Sequence, residues 1–196
     1  MKPNIAIALY VLGKLHSKQI VDLSHEWLMD GIFTDSINFI SAEKKPEISV
    51  VGPLLEKAIV ELGEEIPTRI EAAKIAIRDT AERMVSGIED PLKGAEFIYW
   101  NIHHEINDEL PDQEYLGDNL GLENIFCWLR EIWDCRDGSM VLYYSELPRN
   151  IAEKKFFEHL VEETEKWLQK NTDYGGSIKR SLLYTLPDSI VIPFGK

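Results

Sequence analysis

The chain has 196 residues, 44% of them hydrophobic and 28% charged, and 34 acidic against 21 basic side chains give it a net charge of −13. This length and composition are those of one soluble domain that can bury a proper core. A protein this acidic is repelled by nucleic acid and by anionic lipid, so neither is expected as a partner. A partner that is selected by charge should be basic.

The first residues do not predict a signal peptide. The apolar run over residues 5–12 is short, a single lysine precedes it, and no small-residue cleavage pattern follows. No stretch approaches the roughly 20 apolar residues that a membrane-spanning helix needs. We therefore expect a cytoplasmic protein.

The two cysteines, Cys127 and Cys135, lie eight positions apart in one predicted helix. Helical rise puts their Cα atoms about 12 Å apart, which is beyond the reach of a disulfide. Neither belongs to a CxxC pair. We expect free thiols, which suits a reducing compartment.

Helices dominate the predicted elements in the first half of the chain. Residues 3–12 are ambiguous, because an alternating apolar pattern favours a strand while Pro3 favours the start of a short helix. A helix is predicted over residues 17–29, and residues 32–50 hold a short helical or irregular segment. Pro53 predicts the start of a helix that runs through Leu62. The next helix starts at Pro67 or Thr68 and ends near residue 86.

The second half continues with helices over residues 90–108, 120–135 and 148–169. A very short connection precedes residue 90, so the helix before it and the helix after it should be antiparallel neighbours. Residues 140–144 are predicted as a short extended segment. The predicted fold is mainly α: a single-domain antiparallel helical bundle or array over residues 1–170. Residues 171–196 are predicted to form a tail on the same domain, either an extended arm or a small C-terminal β-hairpin with a turn at Pro187 and Asp188.

The predicted helix DPLKGAEFIYWNIHHEIND, residues 90–108, is apolar on two sides. One stripe at helical spacing consists of Leu92, Ala95, Ile98, Tyr99, Ile102 and Ile106. At about 100° per residue, a second group falls together on the other side of the helix. That group consists of Phe97, Trp100, His104 and Asp108. Such a helix is either sandwiched within a core or presents an aromatic patch to a partner.

No catalytic motif accompanies this helix. The chain has no GxxxxGK[ST], GxGxxG, GxSxG or HExxH pattern. His103 and His104 are adjacent and point about 100° apart, so they cannot share a metal on one helix face. His104 and Asp108 lie one turn apart, but two ligands do not make a metal site. We predict no catalytic residue, no metal and no cofactor, and we interpret His159 and Glu162 as a local helical pair.

An acidic block overlaps the two-sided helix. Residues 94–129 contain no Lys or Arg, and aromatic residues are interleaved with the acids. The eight acids are Glu96, Glu105, Asp108, Glu109, Asp112, Glu114, Asp118 and Glu123. Such segregation of charge is typical of a docking surface for a basic partner. The alternative is a polar loop that is acidic because the whole protein is acidic.

DPLKGAEFIYWNIHHEIND, the acidic loop after it and LYYSELPRNIAEKKFFEHLVEETEKWL together resemble segments of small acidic bacterial proteins of unknown function. Proteins of that type are similar to the immunity proteins encoded beside polymorphic or contact-dependent toxins. The resemblance covers residues 15–170 as a pattern and supplies no functional residues. It implies a toxin as partner, and many such toxins are nucleases with basic active sites that an acidic helical body can plug.

The leading hypothesis from the sequence is a non-enzymatic immunity protein that neutralises a basic toxin domain. Its predicted partner-binding residues are Phe97, Trp100, His104, Asp108, Glu109, Asp112 and Glu114. One alternative is a small enzyme whose carboxylates and His104 gather only in the fold, and another is a helical scaffold subunit. An exposed Trp100 among acids favours binding, whereas a deep pocket that contains His104 and several carboxylates favours an enzyme.

Overall fold

The structure is a computed structural model that describes residues 1–172, and helices make up most of that part of the chain. No strand occurs within these residues, so the mainly α prediction is confirmed. The α-helices are α1 (Pro3–Val11), α2 (Ser17–Met29), α3 (Asp35–Ser41), α4 (Ile48–Glu61), α5 (Arg69–Val85), α6 (Pro91–Glu96), α7 (His104–Ile106), α8 (Glu123–Asp137) and α9 (Arg149–Lys170). A π-helical segment, Phe97–His103, joins α6 to α7, and short 3-10 turns cover Asn107–Glu109 and Asp118–Leu120.

Helix α1 lies between two buried clusters and resolves the ambiguity of residues 3–12. Its Ala6 and Ile7 pack with apolar residues of α2, α3 and α4. Its Ala8, together with Leu12 just after the helix, packs with residues of α5 through α9. Because α1 has apolar neighbours on both sides, apolar residues occur all around the helix, and their alternation in the sequence does not indicate a strand.

The start of α4 differs from the prediction. The helix begins at Ile48, and Pro53 lies inside it. Val51, in the turn before the proline, is fully buried, and a Cβ on Gly52 would collide with the Tyr10 side chain. Burial and this close approach fix the turn before Pro53 as helix, because their packing free energy outweighs the one backbone hydrogen bond that proline removes.

Helices α5 and α6 are antiparallel neighbours, as their short connection predicts. Thr68 and Glu71 cap α5 reciprocally: the Glu71 carboxylate accepts the Thr68 N–H at 2.8 Å. At the same end, Arg69 donates to the Glu105 carbonyl at 2.9 Å. At the opposite end, Arg83 pairs with Glu89 in the connection. The start of α5 therefore lies beside Glu105 in α7, at the far end of the helical stretch that starts with α6.

The predicted extended segment at residues 140–144 is wrong. It is a series of bends between α8 and α9. The carboxylate of Glu131, which is 2% exposed, accepts the N–H groups of Leu142 and Tyr143 at 3.0 to 3.3 Å. The guanidinium of Arg149 donates to four carbonyl oxygens between Asp134 and Ser139. Glu131 thereby satisfies N–H groups that an extended strand would have paired with another strand, whereas Arg149 satisfies carbonyl groups at and just after the end of α8.

The predicted helices over residues 120–135 and 148–169 are present as α8 and α9, with ends shifted by one to three residues. The predicted arm or hairpin lies outside the described residues, apart from residues 171 and 172. Among the described helices, none combines the length and the apolar character that crossing a bilayer requires.

Candidate functional site

The π-helical segment places the residues of the candidate site. Helix α6 starts with Asp90, whose carboxylate accepts the Lys93 N–H at 3.0 Å, and it gives way to π-helical turns at Phe97. The apolar stripe that was predicted on this helix from Leu92 to Ile106 is buried, except that Tyr99 is partly exposed. Wide π turns are rare and are often found at functional sites, so this segment is the first place to look for function.

The structure separates Phe97 from the other residues of the predicted outer face. Phe97 is half-buried and lines a cleft with Ile5 and Leu9 of α1. Trp100 is 53% exposed, and His104 is exposed too. The prediction that Phe97 and Trp100 share a face assumed the 100° per residue of an α-helix. A π turn holds more residues than an α turn, so successive side chains are separated by a smaller angle and the two residues point in different directions. The interpretation of Trp100 as a sandwiched core residue is wrong.

Trp100 belongs to a packed aromatic surface, which we define as Tyr99, Trp100, His104 and Trp133. The imidazole of His104 stacks on the indole of Trp100 with ring centroids 5.3 Å apart. Trp133 of α8 lies 5.9 Å from Trp100, and Tyr99 meets Trp100 edge-on at 4.6 Å. The Trp133 N–H donates to Glu96 at 2.9 Å. These contacts hold an exposed tryptophan in one orientation.

The acidic block is partly neutralised in the fold, by cations from distant elements. Lys14 pairs with Glu105 at 2.7 Å, and this hydrogen bond lowers the pKa of Glu105. Arg69 pairs with Glu109. The expectation that all eight acids of the block are unpaired is therefore wrong. Glu105 and Glu109 each make an ion pair, so Glu109 is not a free charge for a partner. Three predicted acids, Asp108, Asp112 and Glu114, remain exposed and make no ion pair with any described residue. They follow His104 of the aromatic surface in sequence, and we call these three the acidic rim.

A groove of about 460 Å³ opens beside the aromatic surface. Its lining residues are Tyr99, Tyr115, Leu116, Glu123, Asn124, Phe126, Cys127, Arg130 and Trp133. Tyr115 and Leu116 are exposed, and the N–H of Tyr115 is held by the Asp118 carboxylate at 2.9 Å. The Oε2 atom of Glu123 is buried and has no hydrogen-bond partner. The groove therefore combines aromatic walls with one unpartnered carboxylate oxygen.

Both cysteines are free, as predicted. Cys127 lines the groove, and burial raises the pKa of its thiol, with a smaller contribution from the nearby Glu131. Cys135 is buried and donates its S–H to the Arg149 carbonyl at 3.4 Å. A thiol with a raised pKa is mostly protonated at neutral pH, so Cys127 is unsuited to be a catalytic nucleophile.

A second polar cluster, around Tyr144, is one that the sequence does not reveal. The hydroxyl of Tyr144 lies 2.8 Å from Nε2 of His159, and Nδ1 of His159 lies 3.2 Å from the Glu162 carboxylate. Trp128 stacks on the imidazole at 4.5 Å. Tyr144 has φ 54°, a left-handed conformation that costs energy for a residue with a side chain. Helical spacing predicts the pair of His159 and Glu162, which is confirmed, but Tyr144 reaches it only across an irregular loop.

No group of three or more potential metal ligands occurs within residues 1–172. His104 is engaged by Trp100 and Tyr99, and the hydrogen bonds of the described residues do not link it to Asp108. The independence of metal and cofactor stays a prediction. No family model matches this chain, and no curated protein and no solved structure is significantly similar to it. The resemblance to immunity proteins stays an expectation.

Proposed function

We propose that the chain is a non-enzymatic binding protein that holds a basic protein through its aromatic surface and acidic rim. The observation that carries the proposal is the exposure of Trp100 while its ring is fixed by His104, Trp133 and Tyr99. A preformed aromatic anchor loses little conformational entropy on binding. Tryptophan is also the side chain most enriched among residues that dominate binding energy.

The acidic rim supports a basic partner. Asp108, Asp112 and Glu114 follow the aromatic surface in sequence and remain without ion pairs among the described residues. The net charge of −13 adds a field of the same sign. Opposite charge on a partner would speed encounter and would discriminate against acidic competitors.

The partner class that we propose is a toxin domain with a basic active site, and the chain would be its immunity protein in the bacterial cytoplasm. Phosphate-binding sites of nucleases are basic, and a rigid acidic body can block them. The acidic rim and the resemblance of residues 15–170 support this assignment. No catalytic step by this chain is part of the proposal.

The test uses the products of the genes that flank the one encoding this chain. Each product is purified, and its binding to wild-type protein and to Trp100→Ala is measured by surface plasmon resonance. Trp100→Ala should dissociate faster, with a loss on the order of 2 kcal/mol. Phe33→Ala is the matched control, because Phe33 is 61% exposed and precedes α3, outside the aromatic surface. If a folded Trp100→Ala protein binds as wild type does, the aromatic surface is not the docking site.

An enzyme is the second candidate, and the cluster of Tyr144, His159 and Glu162 is the observation that favours it. In this hydrogen-bonded chain, His159 could accept the Tyr144 proton while Glu162 orients the imidazole. The discriminating measurement is the survival of toxin-expressing cells that carry His159→Ala. If binding is kept and protection is lost, the enzyme candidate replaces the binding proposal.

A further inference from the structure

The carboxylate of Glu123 makes no hydrogen bond or ion pair with any described residue. Glu123 is the first residue of α8 and lines the groove, and its Oε2 atom is buried with no hydrogen-bond donor. A buried carboxylate oxygen without a donor loses the hydration that it has in water. Because Oε2 is closed to solvent as packed, a ligand that brings N–H donors into the groove supplies the missing partner when the Glu123 side chain turns this oxygen toward it.

We propose that the groove is a binding pocket for one arginine side chain of the protein partner. This inference rests on the proposed function and deepens it. The walls include Tyr99, Tyr115 and Trp133, whose flat faces suit a planar guanidinium. A guanidinium can also donate parallel N–H bonds to one carboxylate, which a lysine ammonium cannot do in the same fixed geometry.

The charges at the groove favour a cation over an anion. Arg130 is the one basic side chain in the lining, and it is 80% exposed and directed to Asp134 at 3.7 Å. Glu123 has no cation within ion-pair distance among the described residues. Glu114 of the acidic rim directly precedes Tyr115 of the wall in sequence and makes no ion pair with a described residue. The groove volume of about 460 Å³ accommodates a side chain of arginine size.

Cys127 provides a reporter inside the groove. It is partly exposed and lines the groove, whereas Cys135 is buried behind it in α8 and serves as an internal reference. The rate of alkylation of each thiol by iodoacetamide is measured at alkaline pH, with mass spectrometry to separate the two peptides. The probe is N-acetylarginine amide at millimolar concentration, and the matched neutral probe is N-acetylcitrulline amide at the same ionic strength.

The arginine probe should slow alkylation of Cys127 several-fold and leave Cys135 unchanged, and the citrulline probe should protect neither. Equal effects of the two probes on wild-type protein would overturn the inference without any variant. Glu123→Gln should abolish the protection, while Glu65→Gln, a change at an exposed acid between α4 and α5, should keep it. Thermal melting establishes that both variants are folded.

The same variants separate this inference from the proposed function. If Glu123→Gln binds the protein partner as wild type does and the arginine probe gives no protection, the arginine pocket is wrong and the docking surface stands. If the Trp100→Ala and rim variants also bind normally, the proposed function is wrong as well. A partner in which one arginine-to-lysine change weakens binding to wild type but not to Glu123→Gln would support the pocket directly.

Discussion

The imidazole of His104 lies parallel to the indole of Trp100, with an angle of 8° between the ring planes and 5.3 Å between the centroids. Trp133 from α8 adds a second, tilted stack, so the exposed ring of Trp100 is held by two chain segments. Such packing distinguishes Trp100 from the solitary exposed apolar residues that occur on any surface. The stack also makes His104 a positioning residue for the aromatic surface.

The first prediction separates an exposed anchor from a core residue. Trp100→Ala should reduce the free energy of unfolding by about 1–2 kcal/mol, because 53% of the residue is exposed and the loss is confined to its ring contacts. Trp27→Ala should cost about 3–5 kcal/mol, because Trp27 is 1% exposed and its N–H donates to the Met1 carbonyl. Urea unfolding followed by circular dichroism measures both. Equal losses would mean that Trp100 stabilises the core and that any loss of binding follows unfolding.

The second prediction concerns the acidic rim. Replacement of Asp108, Asp112 and Glu114 by Lys should slow association with the basic partner and flatten its dependence on salt, because steering charges act mainly on encounter rates. Stability should change little, since these acids make no ion pair with described residues.

Glu109→Lys is the contrasting variant. It removes the partner of Arg69 and should cost about 0.2–1 kcal/mol of stability, with a smaller effect on association. Stopped-flow association rates at several salt concentrations measure the difference. If the triple variant associates at the wild-type rate, the rim has no part in docking.

Local signals in the sequence were sufficient to predict much of the fold. The predicted start at Pro67 or Thr68 lies within two residues of the start of α5 at Arg69, and the stripe from Leu92 to Ile106 identifies the buried side of the next helix. Each of these signals acts over three or four positions. The antiparallel pairing of α5 and α6 follows from the short connection alone.

Features that depend on distant residues could not be predicted. Lys14 and Glu105 are 91 positions apart, and Arg69 and Glu109 are 40 apart, so a count of charges along the block misses both ion pairs. The π segment has no residue signature, and it shifts Phe97 away from Trp100. The free thiols of α8 were predicted from their spacing. The groove that Cys127 lines could not be predicted, because two other segments of the chain, around Tyr99 and around Tyr115, form its remaining walls.

The third prediction tests the loop between α8 and α9. Glu131→Gln replaces one of two accepting carboxylate oxygens by an NH₂ group, which would face the Leu142 N–H where Oε1 now accepts it, and it removes the charge that strengthens the remaining bonds. A loss of about 1–3 kcal/mol in unfolding free energy is expected. The amides of Leu142 and Tyr143 should exchange faster with deuterium. Glu158→Gln, at an exposed position of α9, is the control, and unchanged exchange in Glu131→Gln would mean that Glu131 does not hold the loop.

The fourth prediction is a pH dependence of stability that originates at His103. Its side chain is 2% exposed, lies edge-on to Phe126 and has an Nε2 atom without a hydrogen-bond partner. Burial lowers the pKa of His103 below its ordinary value of about 6.5, and the adjacent His104 adds to the shift. In the folded protein His103 thus resists protonation, whereas in the unfolded chain it takes up a proton as the pH falls through 6.5.

The sign of the effect follows from this difference in bound protons. Stability is fully present above the unfolded-state pKa and falls as the pH drops, until folded His103 is itself protonated. The loss in unfolding free energy between about pH 7.5 and about pH 5 should be smaller in His103→Gln than in wild type. His25→Gln removes an exposed histidine and controls for the loss of one titratable group. Urea unfolding at each pH gives the slopes. If His103→Gln and wild type lose the same free energy over this range, His103 is not the group that couples folding to pH.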